Sequence, residues 1–496
     1  MENIYYISTR GGSEKVTSAQ AIKQGLCSDG GLFMPERIPE FSKEDFDFIK
    51  NADYPHRAAY VMSKFLTDYT YDELLSDCEK AYAPDRFIGG AAPLKKIGNC
   101  RLIELWHGPT CAFKDMALQI MPRLLSRALE KTGEKRTAFI LVATSGDTGK
   151  AALEGYKDVD KTKIMVFYPV DGVSPMQKRQ MATQEGSNVN VCSIKGNFDD
   201  AQTGVKKIFG SKEAAKLLDE NGFFFSSANS INWGRLVPQV VYYISAYYDL
   251  VNSGDIRDGD KVNVCVPTGN FGNIFAAFLA KKAGLPVNRF ICASNTNNVL
   301  TDFINTGVYD RNRAFHTTMS PSMDILISSN LERLLYTLCG SEKTAGYMKE
   351  LNEKGTYKVD DKTLELIKEN FAAYYCSEDE TASTIKETFD EYKYLIDTHT
   401  SVGVKCAKQY EKEMNDGLYT LVASTASPYK FTADVYSSLT GDRIEDEFAC
   451  LEKTSEYTST SIPAPLEALK NKKVRFDKVI SPSEMQDEVL KYIGVK

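Results

Sequence analysis

Residues 106–119 read WHGPTCAFKDMALQ, and this stretch decides how we interpret the rest of the chain. A short strand predicted at residues 101–105 leads through a tight turn into a helix that begins at Lys114. The partial positive charge of a helix start and apolar neighbours such as Phe113 both favour a neutral amine on Lys114. A neutral amine can attack an aldehyde and hold it as an imine. The alternative is an ordinary solvated lysine at the start of a helix.

The composition indicates a soluble globular protein of two or three domains. The chain has 496 residues, which is too long for a single hydrophobic core. Of these residues 43% are hydrophobic and 26% charged, as is ordinary for a soluble globular protein. A net charge of −7 and a pI near 5.5 count against a nucleic-acid surface. We therefore expect a small-molecule ligand and no nucleic acid.

The apolar stretches of the chain are short, and none approaches the length that a bilayer requires. The first residues, MENIYYISTR, lack the basic-then-apolar pattern of a secretory signal. We therefore expect a cytoplasmic protein with no membrane partner, present as a monomer or homodimer.

The cysteines and histidines do not indicate a disulfide framework or a metal site. The 11 cysteines are scattered singly and are expected to act as small buried hydrophobic residues in a reducing compartment. The histidines lie far apart, and none stands at metal-ligand spacing from a cysteine: His56, His107, His316 and His399. We predict no metal.

The order of apolar runs predicts an α/β fold. Buried strands are predicted at 138–144, 163–168, 189–194, 223–226, 262–266, 289–293 and 419–424, with helices between them. This alternation predicts two doubly wound, mostly parallel sheets with ligands at the carboxyl ends of the strands. We expect a mostly helical domain at 1–90 and α/β domains at 91–235 and 236–496, with a helical insertion, a lid or plain scaffold, at about 310–395.

The stretch PTGNFGN at 267–273 lies between a predicted strand and a predicted apolar helix. Gly269 and Gly272 allow close approach of backbone to a ligand, and the free amides of the helix start form an anion pocket. The stretch lacks the lysine of a P-loop and the spacing of a dinucleotide fingerprint, so it predicts neither ATP nor NAD. The alternative is a glycine turn without a ligand.

Three further polar stretches follow predicted strands. In TSGDTG at 144–149, the side chains of Ser145 and Thr148 and the local amides suit a carboxylate, with Asp147 in the same substrate-binding set, although a capping turn uses similar residues. In SSANSINWGR at 226–235, Arg235, with Asn232 nearby, suits a phosphate or carboxylate, and a surface ion pair is the alternative.

The last of these stretches is STASPYKF at 424–431, which follows the predicted strand YTLVA. The hydroxyl of Thr425 can hydrogen-bond a pyridine nitrogen without giving it a full proton. A threonine that caps a helix at the end of a strand is the alternative.

Taken together, these motifs resemble those of the threonine synthase family, enzymes that use pyridoxal phosphate on the tryptophan-synthase β-like fold, known as fold type II. The shared stretches stand in family order over almost the whole chain: YYISTRGG, SDGGLFMP, HGPTCAFKD, ATSGDTG, SINWGR, PTGNFGN and STASPYKF. The resemblance implies that Lys114 is the Schiff-base lysine and that Thr425 faces the pyridine nitrogen. It also implies that the cofactor phosphate lies on the loop formed by Gly269, Asn270, Phe271, Gly272 and Asn273.

The chain departs from the family pattern at a few positions. Ser427 and Tyr429 stand where the family usually has histidine and alanine, Cys111 replaces an aromatic residue, and Asn273 occupies a place often held by aspartate. These departures bear on substrate handling and leave the cofactor assignment intact.

The resemblance implies conversion of O-phospho-L-homoserine and water to L-threonine and phosphate. A second interpretation on the same scaffold is a phospholyase that acts on O-phosphohomoserine or O-phosphothreonine and yields 2-oxobutyrate. A third is a catalytically silent regulatory paralogue, against which the retained Lys114, Thr425 and glycine loops argue.

Overall fold

The computed structural model describes residues 3–144, 146–171 and 173–495. The strands are β1 (Tyr6–Ser8), β2 (Phe33–Pro35), β3 (Leu94–Ile97), β4 (Cys100–Glu104), β5 (Thr137–Ala143), β6 (Thr162–Pro169), β7 (Val189–Ile194), β8 (Phe223–Ser226), β9 (Val262–Pro267), β10 (Val287–Ser294), β11 (Val308–Asp310), β12 (Thr356–Lys358), β13 (Phe371–Tyr375), β14 (Thr420–Ser424) and β15 (Val479–Ile480). The seven buried strands predicted from apolar runs correspond to β5 to β10 and β14, which confirms the α/β class.

The helices are α1 (Ser18–Gln24), α2 (Lys43–Asn51), α3 (Tyr54–Phe65), α4 (Tyr71–Ala81), α5 (Lys114–Leu118), α6 (Met121–Lys131), α7 (Asp147–Tyr156), α8 (Pro175–Ala182), α9 (Phe198–Gly210), α10 (Lys212–Glu220), α11 (Trp233–Ser253), α12 (Gly272–Lys282), α13 (Val299–Thr306), α14 (Leu331–Lys354), α15 (Asp361–Asn370), α16 (Glu378–Tyr392), α17 (Thr398–Met414), α18 (Thr432–Thr440), α19 (Glu447–Thr458), α20 (Ala464–Glu467) and α21 (Met485–Tyr492). Short 3₁₀ turns occupy Pro321–Met323, Pro428–Phe431, Ala468–Asn471 and Pro482–Glu484.

Two sheets form the centre of the molecule. The larger has the strand order β13-β10-β9-β14-β4-β3, parallel except for the antiparallel pair β3 and β4. The smaller has the order β15-β7-β6-β5-β8 and is parallel throughout. Continuous apolar runs such as Val262–Pro267 are buried along their whole length because helices cover both faces of these sheets.

Helix α11 is buried along most of its length because it is apolar on nearly every side. It packs against α3 of the N-terminal region, against α5, which begins at Lys114, and against α12, which follows the 267–273 stretch. The helix therefore joins the segments on which the candidate site is built.

Neither of the two central sheets is built only from strands of one of the predicted domains, 91–235 or 236–496. Strands β3 and β4 belong to the larger sheet, whereas β15, near the C-terminus, belongs to the smaller one. The stretch 310–395 also contributes more than helices, since β13 is an edge strand of the larger sheet. An apolar pattern predicts a strand but does not indicate which strand it pairs with. The domain boundaries therefore stay a prediction.

Several other features of the described residues bear on function. No helix within residues 3–144, 146–171 and 173–495 combines the length and apolar character that crossing a bilayer requires. The same residues contain no group of three or more histidine, cysteine or acidic side chains placed to hold a metal ion. All 11 cysteines are free.

Candidate active site

The polar stretches singled out in the sequence all follow the carboxyl ends of strands. The segments at 106–119 and 424–431 follow β4 and β14, which are paired in parallel. The segments at 144–149, 226–235 and 267–273 follow β5, β8 and β9. Parallel strands end at the same edge of a sheet, so the segments after β4, β9 and β14 lie at one edge of the larger sheet and those after β5 and β8 at one edge of the smaller sheet.

Lys114 is the first residue of α5, and its turn is held by the segment after β14. The backbone N–H of Phe113 donates to the carbonyl oxygen of Thr425 at 2.8 Å. Ala112 and Ala426 form an antiparallel bridge beside it. These contacts fix the backbone immediately before the lysine.

The amine of Lys114 lies in an environment that favours its neutral form. Its Nζ donates a hydrogen bond of 3.4 Å to Oγ of Ser322. Burial lowers the pKa of Lys114 to about 8, the charge of Asp147 opposes this shift, and the positive charges of Lys430 and Arg235 add to it. The sequence-based argument named the helix start and apolar neighbours, and the structure adds two buried cations.

Ser322 also touches the glycine loop, so it connects that loop to the lysine. A Cβ atom added to Gly269 would lie 2.9 Å from the carbonyl oxygen of Ser322. The backbone N–H of Ser322 donates to Nε2 of His399 at 3.1 Å, and Nδ1 of His399 lies 2.8 Å from Oδ2 of Asp397. Because Nε2 accepts a hydrogen bond from a backbone amide, Nδ1 is the ring nitrogen that donates to Asp397.

The carbonyl groups of the glycine loop are bound by residues just before α14. The Gly269 carbonyl accepts from Oγ of Ser328 at 2.7 Å. The Asn270 carbonyl accepts from both the backbone N–H and Nδ2 of Asn330 at 3.0 Å. These bonds fix the conformation of the loop, and the start of α12 at Gly272 has no side-chain cap. The amides of this helix start therefore form an anion pocket.

Two residues of this loop have further distinctive features. Phe271 adopts the left-handed region with φ of 61°. The side chain of Asn273 is buried; its Oδ1 accepts from the hydroxyl of Tyr242 at 2.7 Å and from that of Tyr243. Its Nδ2 has no hydrogen-bond partner within the described residues, which leaves a buried donor free for a ligand.

Thr425 follows the last residue of β14 and is 6% exposed. Its backbone carbonyl is used by Phe113, whereas none of the described residues hydrogen-bonds its hydroxyl group. That hydroxyl is therefore free to bind a ligand. The sequence alternative, a helix-capping threonine, does not apply, because Ser427 caps the following 3₁₀ turn.

A buried ion pair joins the 144–149 and 424–431 segments. Nζ of Lys430 lies 2.5 Å from Oδ1 of Asp147, and the side chains are 0% and 4% exposed. The same Nζ donates to the carbonyl of Thr110 at 3.0 Å, and Gln177 donates to Oδ1 of Asp147 at 2.9 Å. Burial opposes ionisation of Asp147, but the charges of Lys430 and Lys114 outweigh it and hold the pKa of this carboxyl below its ordinary value.

Arg235 is 4% exposed and lacks a carboxylate partner in the part of the chain that the structure describes. Its Nη1 donates to the Ala228 carbonyl at 2.6 Å, whereas its Nε is buried without a partner among those residues. Burial lowers the pKa of Arg235 to about 10. A buried guanidinium with a free donor suits an anionic ligand.

The other predicted substrate-binding residues differ in their availability. Asn232 is already bonded at both polar groups: Oδ1 accepts from the backbone N–H of Gly234, and Nδ2 donates to the Ile22 carbonyl, each at 2.9 Å. Asn232 therefore acts as the cap of α11. Thr148 is the second residue of α7, and Ser145 lies outside the described residues.

Three family models match successive parts of the chain. The model described as "Threonine synthase N terminus" matches residues 5–82, "Pyridoxal-phosphate dependent enzyme" matches 104–425, and "Threonine synthase, C-terminal" matches 400–489. The chain belongs to the threonine synthase family of pyridoxal-phosphate-dependent enzymes. The expected family, its cofactor and fold type II are thereby confirmed.

Similar proteins support the same assignment. Threonine synthase from Pseudomonas aeruginosa is 38% identical over 433 residues, which are 86% of this chain and 88% of that protein. Threonine synthase-like 1 from Homo sapiens is 39% identical over 85% of this chain, but the match spans only 58% of that longer protein. A crystal structure of PLP-bound threonine synthase from Brucella melitensis is 35% identical, with a TM-score of 0.88 over 99% of this chain and 100% of that one.

The residues of this threonine synthase-family site fit pyridoxal phosphate. An amine with a pKa of about 8 meets an aldehyde's requirement for a neutral nucleophile. The glycine loop leaves no room for a Cβ at Gly269, and the buried Nδ2 of Asn273 lacks a partner among the described residues. These features provide an attachment point and an oxyanion cradle at two ends of one site.

Three residues of the site were not predicted from the sequence. Lys430 lies within the quoted STASPYKF segment, but nothing local indicates that its amine reaches Asp147. Ser322 and His399 belong to stretches without a glycine loop or a recognisable motif. A search for polar residues after predicted strands would have found Lys430, which follows β14. It would not have found Ser322, which follows no strand directly.

Proposed function

We propose that this chain converts O-phospho-L-homoserine and water to L-threonine and phosphate with pyridoxal 5′-phosphate as cofactor. The observation that supports this best is the meeting of Lys114, with its lowered pKa, and Gly269 at Ser322. It brings an amine whose pKa is lowered to about 8 next to an oxyanion cradle, the combination that this cofactor requires. The proposal includes a cytoplasmic location and a monomeric or homodimeric state.

We assign the cofactor contacts to the segments after β4, β9 and β14. The amides from Gly269 to Asn273 would hold the phosphate group, Lys114 would hold the cofactor covalently, and the Thr425 hydroxyl would bind the ring nitrogen. When bound, the cofactor supplies a conjugated ring that accepts the electron pair left when a proton departs from the substrate.

Lys114 is the proposed acid and base. With a pKa of about 8, its amine exchanges protons near neutral pH without a large free-energy cost. It takes the proton from Cα of the substrate and moves protons at Cβ, two adjacent atoms within reach of one flexible side chain. The hydroxyl of Ser322, 3.4 Å from Nζ, orients the amine for these transfers.

Arg235 is the proposed partner of the substrate phosphate. Its Nε is a buried donor without a partner in the described part of the chain, so a phosphate oxygen would satisfy it. A guanidinium stabilises the charge that develops as phosphate leaves. Ser145 and Thr148, at the turn into α7, are the proposed contacts of the substrate carboxylate, whereas Asp147 is already paired with Lys430.

The test is a product analysis with the holoenzyme and O-phospho-L-homoserine. Equal amounts of threonine and phosphate are expected, and formation of 2-oxobutyrate instead would support the phospholyase. Lys114→Ala should abolish turnover, and Arg235→Gln should raise KM. Arg136→Gln, which changes a surface arginine paired with Glu134, is the matched control and should leave both unchanged. A wild-type protein that binds the cofactor but forms no product would indicate the silent paralogue.

A further inference from the structure

A cavity of about 670 Å³ lies beside the loop that leads to Lys114. Pro109 of that loop lines the cavity together with residues of α4, α6 and the turn after α7. None of the proposed cofactor or substrate contacts lines it. It is therefore a separate space that shares one wall with the catalytic loop.

Two half-buried arginines line this cavity without a carboxylate partner in the described part of the chain. Nη1 of Arg86 donates to Oε1 of Gln119 at 2.6 Å. Nε of Arg123 is buried and has no partner among the described residues. Burial, followed by the positive charge of Arg86, lowers the pKa of Arg123, and the charge of Asp77 opposes this shift. Two neighbouring cations destabilise each other, and a bound anion would remove that cost.

Gln119 bonds Arg86 and has a further free donor, although it does not itself line the cavity. Its side chain is 3% exposed, and Nε2 has no partner among the described residues while Oε1 is bound by Arg86. Exchanging Oε1 and Nε2 of Gln119 would place an N–H donor against the guanidinium of Arg86, which is itself a donor. A buried donor of this kind is costly unless a ligand or water satisfies it.

The buried carboxylate of Asp77 and the half-buried carboxylate of Glu154 in the cavity wall already have partners. Both oxygens of Asp77 accept from Arg127, from Nε and, at 3.2 Å, from Nη2. Glu154 accepts from Nε2 of Gln184 at 2.9 Å and pairs with Lys150. Among the cations that line the cavity, Arg127 and Lys157 are in ion pairs, whereas Arg86 and Arg123 are in none within the described residues.

The exposed part of the lining has the opposite charge. Asp85, Glu130, Asp158 and Asp160 are exposed carboxylates at the cavity. Such a rim repels a multiply charged anion and attracts an ammonium group. A ligand that carries one carboxylate and one amine matches both parts of the lining.

We propose that this cavity binds a free α-amino acid. Its carboxylate lies between Arg86 and Arg123, and its ammonium group faces the exposed carboxylates of Asp85 and Glu130. Through Pro109 the bound molecule contacts the loop that positions Lys114. This site is independent of the proposed reaction, because no residue of the catalytic site belongs to it.

The test is the rate at which phenylglyoxal modifies individual arginines of the holoenzyme, read by peptide mass spectrometry. L-Alanine at about ten times its dissociation constant should slow modification of Arg86 and Arg123 about tenfold. Acetate, which lacks the amine, should protect less, and inorganic phosphate least. Arg136, paired with Glu134 and Asp219 at the surface, is the internal control and should react at the same rate throughout.

A second measurement uses Arg123→Gln, after its melting temperature has been compared with that of the wild type. Loss of L-alanine protection at Arg86 in a folded Arg123→Gln protein would support the site. Equal protection by phosphate and L-alanine would overturn the assignment to an amino acid. Unchanged modification of Arg86 and Arg123 in the wild-type protein with every probe would overturn the site itself.

Discussion

Nζ of Lys430 lies 2.5 Å from Oδ1 of Asp147, and both side chains are buried next to Lys114. The pair links the segment after β14 to the start of α7, which follows β5 of the other sheet. A buried pair of this kind stabilises only as a pair, because either charge alone would be left uncompensated. It also sets the charge that surrounds the catalytic amine.

Replacing Lys430 by Met should lower the free energy of unfolding by about 3–5 kcal/mol, because Asp147 would remain buried without its closest cation. Urea denaturation measures this change. The double variant Lys430→Met with Asp147→Asn should lose less than the sum of the two single variants. Lys453→Met, at an exposed ion pair with Glu456, is the control. A loss for Lys430→Met no larger than that of the control would contradict a stabilising role.

The pKa of Lys114 predicts how its reactivity depends on pH. In the cofactor-free protein, acetic anhydride should label Lys114 with a rate that rises as the pH increases through about 8. The labelling rate of exposed lysines should rise only as the pH approaches about 10.4. The sign follows from burial, which disfavours the charged amine and makes the nucleophilic form available at lower pH.

The same labelling in Lys430→Met should shift the Lys114 profile to higher pH. The variant removes a nearby positive charge and leaves Asp147 unpaired, and both changes stabilise the protonated amine. Peptide mapping by mass spectrometry separates Lys114 from Lys453, whose labelling should be unaffected. An unchanged or lower midpoint would show that Lys430 does not tune the lysine.

Gly269→Ala should weaken cofactor binding, because its Cβ would lie 2.9 Å from the carbonyl oxygen of Ser322. Relief of that contact requires a backbone shift of the loop or of the residue that bonds Lys114. Equilibrium dialysis should show a dissociation constant at least about tenfold higher, equivalent to about 1.4 kcal/mol. Gly346→Ala, inside α14 with nothing near its Cβ, is the matched control and should keep wild-type affinity.

His399→Leu should reduce both stability and activity, because it removes the acceptor for the Ser322 amide and leaves Asp397 without its imidazole. The loss in unfolding free energy is expected at about 1–3 kcal/mol. His399→Gln, which keeps an acceptor near the position of Nε2, should retain more activity than His399→Leu. His56→Leu, at a surface pair with Asp53, serves as control. Equal activity of the two His399 variants would argue against the acceptor role.

Much of the fold was predictable because its signals are local. The seven predicted strands correspond to observed ones, since continuous apolar runs between helices are typical of strands buried on both faces. Lys114 begins a helix after a strand as expected, and α12 begins at Gly272, within the glycine loop. These features depend on residues within one turn of each other.

The sequence was less informative where polar residues have distant partners. The sequence did not indicate that Asn232, predicted to contact substrate, caps α11 through Oδ1 and donates from Nδ2 to the Ile22 carbonyl; its substrate role stays a prediction. The 310–395 stretch was interpreted as helical, yet it supplies the edge strand β13 and, at Ser322, the residue between the lysine and the glycine loop. Residue type alone does not tell which neighbour uses a side chain.

By itself the sequence determined the elements and the chemistry they carry: a lysine at a helix start, a glycine loop before a helix, and a family-wide order of motifs. The tertiary structure alone decided which groups meet. Lys114 and Ser322 are 208 residues apart and bond only because tertiary packing places the turn at Ser322 against His399 and the glycine loop. The burial that lowers the pKa of Lys114 arises in the same step, since desolvation depends on the packed neighbours rather than on the adjacent residues.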